Sequence, residues 1–152
     1  MLHRLLLFCF LLTSFDLRAA SSRPNILFVF IDDIGWGDMS CYGSTVTNKA
    51  GLPITPNLDR LASEGIRFTQ GYVASPICSA SRTAVLTGME PCRYAMYSFL
   101  DNKAANASRN MADWLQQDTV SVARLFQRAG YHTGQFGKWH MGNGRDVNNA
   151  PS

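Results

Sequence analysis

Residues 25–31 read Asn-Ile-Leu-Phe-Val-Phe-Ile, an almost unbroken apolar run that stops at Asp32-Asp33. Its length and its β-branched and aromatic members favour a strand over a helix. A run with no polar alternation is the pattern of a strand buried on both faces, the kind found in parallel sheets. If helices follow, a chain with such a strand is confined to a layered α/β architecture. Helices do follow. Thr55 is placed as an N-cap and Pro56 at the first helical position. Leu58, Leu61 and Ala62 form the apolar face, and Gly65 ends the helix. Ile66 to Val73 alternates loosely and reads as a second strand. Pro76 interrupts, and a helix opens at Cys78. Glu90 to Asn110 has weak periodicity and reads as loop with short helical pieces. Val122, Leu125, Phe126 and Ala129 then follow helical spacing from Thr119, with Gly130 as the stop. Tyr131 to Phe136 reads as a third strand, and Asn143 to Ser152 is polar and turn-rich. Strands alternating with helices predict an α/β domain with a mostly parallel sheet.

Composition supports buried strands and narrows the partners. Charged residues are 16% of the chain, against the usual quarter, while 46% are hydrophobic. The formal charge is +3 with no block of Lys or Arg, which argues against a nucleic-acid partner.

Residues 1–21 read as a secretory signal peptide: a short basic start with Arg4, an apolar stretch from Leu5 to Leu12, then small and polar residues. The stretch is too short to span a bilayer as a helix, so no stable membrane span is expected after cleavage. An uncleaved N-terminal anchor is the alternative. Export to the periplasm or the medium follows from the leader. Cys9 leaves with it, and Cys41, Cys78 and Cys92 remain. An odd count in an exported chain points to one thiol with its own role. Cys41 and Cys92 could pair or stay free. Asn106-Ala107-Ser108 is a glycosylation sequon, meaningful only in a eukaryotic source.

Functional residues of α/β sheets gather beyond the C-terminal ends of the strands. Asp32-Asp33 lies at one such end, and Lys138 and His140 lie at another. Cys78 opens a helix after a third. Cys78 and Arg82 are one helical turn apart, at a helix N-terminus whose N–H groups favour an anion. Two adjacent carboxylates repel and call for a positive partner, and a hard cation such as Ca²⁺ or Mg²⁺ is one answer. Taken alone, Asp32-Asp33 reads more simply as a solvated acidic loop or a cap. Lys138 and His140, at i and i+2, fall on one side of an extended segment and can hold an anion or tune a nucleophile. Taken alone, Cys78 could be a buried structural thiol.

The run Cys78-Ser79-Ala80-Ser81-Arg82 with Leu86-Thr87-Gly88 resembles the sulfatase signature. So does Asp32-Asp33-Ile34-Gly35-Trp36-Gly37-Asp38. Gly137-Lys138-Trp139-His140-Met141-Gly142 is similar to the second signature, and Thr55 to Ala62 with Gly65 to Phe68 is similar to the family's N-terminal scaffold. Most members carry proline where this chain has Ala80. The resemblance covers nearly all of Arg23 to Gly142. It implies an alkaline-phosphatase-like three-layer α/β sandwich, incomplete at its C-terminal side, with residues 22–152 as the N-terminal part of the catalytic domain.

The same resemblance implies a sulfuric ester hydrolase of arylsulfatase type. Cys78 would be oxidised to formylglycine by a formylglycine-generating or anaerobic maturation enzyme. Asp32, Asp33 and the modified Cys78 would ligate Ca²⁺ or Mg²⁺. Arg82 would stabilise the hydrated aldehyde, and Lys138 and His140 would contact its hydroxyls. One hydroxyl would attack the sulfur of a sulfate ester, and loss of the proton from the other would expel sulfate. A thiolate could not perform that second step. The family's further metal ligands and substrate-binding histidine and lysine cannot be placed within 152 residues. The chain is therefore expected to be an N-terminal portion with little activity alone. A phosphoester or phosphonate hydrolase of the same superfamily, or a non-catalytic remnant, are the competing functions. The polar face of Asn57, Asp59 and Arg60 is expected to be solvated surface, Asp38 to be loop structure and His132 to be a strand residue.

Overall fold

The computed structural model describes residues 23–142. Residues 1–22, which include the expected signal peptide with His3 and Cys9, and the residues from Asn143 onward lie outside the described residues. The chain divides into two units, Met1–Ile31 and Asp32–Ser152.

Within the described part of the first unit, residues 23–31 carry no strand or helix assignment. Leu27 is 89% exposed, and Phe28, Val29 and Ile26 are exposed with it. Phe28 and Phe30 stack at 6.1 Å, as i, i+2 neighbours do on one face of an extended chain. The expected buried parallel strand is thus not formed. The other two expected strands, at 66–73 and 131–136, are also unpaired. The single ladder contact among the described residues is an isolated antiparallel bridge, Thr47 to Pro53. Apolarity and β-branching suit a pleated surface but do not supply one, because a strand exists only through a neighbour's hydrogen bonds. His132 is accordingly an exposed residue of an unpaired segment.

The helices follow local signals. Helix α1 is Pro56–Glu64, α2 is Cys78–Thr87, α3 is Lys103–Ser108 and α4 is Val122–Arg128. A 3₁₀ turn at Pro91–Tyr94 follows α2. Proline opens α1, and Gly65 donates its N–H to the Leu61 carbonyl at the end. Gly88, at φ 66°, closes α2 by donating to Ala84, a left-handed stop that favours glycine. Asn102 and Ser121 cap α3 and α4 with their side chains.

Two sequence readings change here. Thr55 occupies the N-cap of α1 but its hydroxyl accepts from the Ser40 N–H at 3.0 Å instead of capping. Asp59 is half-buried, not solvated, and its Oδ1 accepts the Cys41 N–H at 2.7 Å. Both contacts fasten α1 to the Ser40–Tyr42 turn. Asp38, expected in a loop, ends a 3₁₀ turn at Trp36–Asp38, where its Oδ2 accepts the Gly35 N–H at 2.6 Å.

A small core of Met96, Leu100 and Met111 forms in the second unit, with Tyr94, Ala112 and Leu115 packed against it. Asn106 lies fully buried beside it. Its Nδ2 donates to the Asp101 carbonyl at 2.8 Å and to Asp113 at 3.0 Å, and its Oδ1 accepts the Asp101 N–H at 2.9 Å. The sequon asparagine is therefore a structural node whose nitrogen is spent inside the fold. The buried face of α2 consists of small residues, Ser79, Ala80, Ser81 and Thr83, which lets adjacent chain approach closely. The helix packs against the Pro91–Tyr94 turn and α4.

Candidate active site

Cys78 is the first residue of α2, half-buried, and follows Ile77, which offers no side-chain cap. The helix N-terminus thus keeps its first N–H groups for other partners. Arg82 follows one turn later, with its side chain 11% exposed. Its Nη2 donates to Asp32 Oδ1 at 3.0 Å, and its Nη1 donates to the Lys138 carbonyl at 2.6 Å. The Lys138 ammonium closes on the other oxygen of Asp32. Arg82 therefore ties together three regions distant in sequence, as a planar fork with several fixed donors can.

The electrostatics follow from this cluster. The Lys138 ammonium, and after it the Arg82 guanidinium, hold the Asp32 carboxyl below its ordinary value. The Asp32 carboxylate pushes the Lys138 ammonium up, and charge at Cys78 pushes it the same way. Lys138 thus senses both the carboxylate and the sulfur. For Asp32 the positive partner is supplied here by the protein's own cations.

Asp33 has a different setting. It is exposed, its φ is 59°, and its carboxylate makes no hydrogen bond or ion pair among the described residues. A non-glycine residue in the left-handed region is uncommon. The carboxylates of Asp32 and Asp33 are hard oxygen donors and suit Ca²⁺ or Mg²⁺ in type. In number they fall short. Among the described residues no cluster of three or more His, Cys, Asp or Glu stands ready to hold a metal. The described residues thus offer part of a coordination shell.

His140 does not share Lys138's partners. Its φ of 53° breaks the alternation that an extended segment would give. Its ring Nε2 lies 3.1 Å from the Leu100 carbonyl, while Nδ1 is buried without a hydrogen-bond partner among the described residues. The segment is tethered again one residue on, where the Met141 carbonyl accepts the Leu115 N–H at 2.9 Å. Gly142 passes so close to Trp114 that a Cβ there would sit 2.2 Å from the Trp114 Cβ. Cys41, Cys78 and Cys92 are all unpaired thiols.

The structure thus brings Asp32, Arg82 and Lys138 into direct contact, with Cys78 at the start of the helix that carries Arg82. It sets Asp33 at the exposed side and seats His140 on Leu100. Sequence reasoning missed Ser79 and Leu100, which link α2 to His140: the Ser79 hydroxyl accepts the Leu100 N–H at 2.9 Å. Position next to Cys78 was the only signal for Ser79, and a backbone carbonyl leaves no trace in sequence. No helix among the described residues is long and apolar enough to cross a membrane.

Comparison with known proteins shows the family. The sulfatase family model matches residues 24–150. Human arylsulfatase H is 42% identical over 122 residues, which is 80% of this chain and 21% of that protein. Human arylsulfatase A is 40% identical over 126 residues, 83% of this chain and 22% of that protein. An N-acetylgalactosamine-6-O-sulfatase of Bacteroides thetaiotaomicron is 40% identical over 124 residues, 82% of this chain and 22% of that protein. The chain spans about a fifth of the length of the curated relatives it matches.

Proposed function

The chain belongs to the sulfatase family, and on that premise we propose that it carries the nucleophile side of a sulfuric ester hydrolase site. The observation that supports this best is the Asp32–Arg82–Lys138 cluster beside Cys78. Two cations next to a nucleophile at a helix N-terminus form a setting for a tetrahedral anion. The family's fold is alkaline-phosphatase-like α/β. We place the apolar segments at 25–31, 66–73 and 131–136 in its sheet, which requires partner strands these segments do not find among the described residues.

Cys78 is the residue to be oxidised to formylglycine by a maturation enzyme, after export directed by residues 1–21. That aldehyde, once hydrated, supplies two hydroxyls on one carbon, one to attack and one to release the product. Asp32 and Asp33 would hold a divalent cation, Ca²⁺ or Mg²⁺, which supplies Lewis-acid polarisation of sulfate oxygens. Arg82 and Lys138 orient the anion and stabilise charge that grows on its oxygens. His140 offers a lone pair at Nδ1 for a proton. The chain spans about a fifth of the length of its relatives, and we assign neither the leaving-group contacts nor the remaining metal ligands to its residues. The 152 residues alone are expected to turn over little substrate.

Paired esters of one aryl alcohol test the reaction class. The full-length protein should hydrolyse the sulfate ester faster than the phosphate monoester. The reverse preference would assign it to phosphoester hydrolysis, and hydrolysis of neither to a non-catalytic role.

A further inference from the structure

We propose that Ser79 is a positioning residue for His140, acting through Leu100 and fixing the tautomer of the imidazole. The inference rests on the role given to His140 above, and adds how that ring is set. Ser79 is fully buried and follows Cys78 directly. Its hydroxyl accepts the Leu100 N–H at 2.9 Å. The carbonyl of the same residue faces His140 Nε2 at 3.1 Å. The Leu100 side chain sits in the core with Met96 and Met111, while its N–H is engaged by the Ser79 side chain and its carbonyl by that of His140. One residue thus connects the first turn of α2 to the ring.

A carbonyl has no proton to give, so Nε2 must carry one. A neutral imidazole holds a single ring proton, and its other nitrogen is then an acceptor. That nitrogen is Nδ1, which is buried with no hydrogen-bond partner among the described residues. A buried polar atom of this kind calls for an explanation, such as a ligand or reacting group. His140 also holds a left-handed φ of 53°, a conformation that persists when surroundings determine it. Without the Ser79 oxygen, the Leu100 amide becomes a buried donor with no acceptor. The Leu100 backbone would then turn to satisfy it, and its carbonyl would leave Nε2. The nucleophile's own helix therefore sets which nitrogen of His140 is basic.

The test is ¹⁵N NMR of the histidine rings in the full chain at neutral pH, with amide exchange at Leu100. The wild-type His140 should show a pyrrole-type Nε2 and a pyridine-type Nδ1. A protonated Nδ1 with a bare Nε2 would overturn the proposal. In Ser79→Ala the Leu100 amide should exchange at least about fivefold faster, the size of one net hydrogen bond, and the His140 tautomers should mix. Ser79→Thr keeps the oxygen and should keep both signatures. A folded Ser79→Ala with unchanged His140 resonances contradicts the proposal. If Ser79→Ala does not fold, the wild-type tautomer and the Leu100 protection in Ser79→Thr decide. None of these signals depends on oxidation of Cys78, so failure of the hydrolase reading would leave them unmoved.

Discussion

Arg82 meets Asp32 at 3.0 Å across fifty residues of sequence, and the same guanidinium holds the backbone of Lys138. A side chain that grips both a carboxylate and the segment bearing the second cation sets the spacing of the two positive charges. Arg82→Lys keeps the charge but gives up the fork, since a single ammonium cannot span both acceptors with fixed geometry. In the full-length protein its kcat/KM on an aryl sulfate should fall about 100-fold or more, the scale of one lost charge-stabilising donor. Steady-state kinetics check this, and a near-wild-type value would remove Arg82 from the site.

Acid should dissolve the same cluster. Asp32 is held below its ordinary value when folded. Its contribution to stability is therefore complete above the unfolded carboxylate value and fades as pH falls through the lower folded value. Lys138 has the opposite sign. Its value is raised, so its contribution is complete below the unfolded lysine value and is lost as pH climbs through the folded one. Thermal unfolding measured against pH should show Asp32→Asn flattening the acid limb, while wild type loses stability there.

Asn106 should behave as a structural residue. Four hydrogen bonds converge on its amide, from Asp101, Asp113 and Arg109. Asn106→Ala should cost about 1–3 kcal/mol by leaving buried groups unsatisfied. Denaturant unfolding measures that cost. Protein made in a eukaryotic host should carry no glycan at this position once folded, which intact mass would reveal.

Gly142 is sensitive for a different reason. Its φ is +106°, and an added Cβ would collide with Trp114. Gly142→Ala should destabilise the chain by more than ~1 kcal/mol. It should also raise amide exchange at Leu115, whose N–H binds the neighbouring Met141 carbonyl. Unchanged exchange would show that the Lys138–His140 segment does not depend on this contact.

What could be read from the sequence was local. Proline at the start of α1, the opening of α2 at Cys78, and the glycine stops at Gly65 and Gly130 all act within one turn of chain. The helical pieces between Glu90 and Asn110 were visible for the same reason. The strands were not realised, because residues 25–31, 66–73 and 131–136 signal a wish for burial without naming a partner. The motifs located Asp32, Cys78, Arg82 and Lys138, and the structure joins three of them by direct contact. It separates His140 from Lys138, since a positive φ at one residue undoes the alternation assumed from spacing. The ties from Asp59 to Cys41, and from Ser79 through Leu100 to His140, are long-range pairings of polar side chains with backbone groups. Spacing and composition carry no signal for those.

The most direct test of the central claim is the mass of the tryptic peptide Phe68–Arg82 from protein made in its native host. The expected result is a peptide in which the Cys78 thiol has been replaced by an aldehyde. A peptide carrying only the unmodified thiol would contradict it, and would leave the Asp32–Arg82–Lys138 cluster as a structural feature of an inactive sulfatase scaffold.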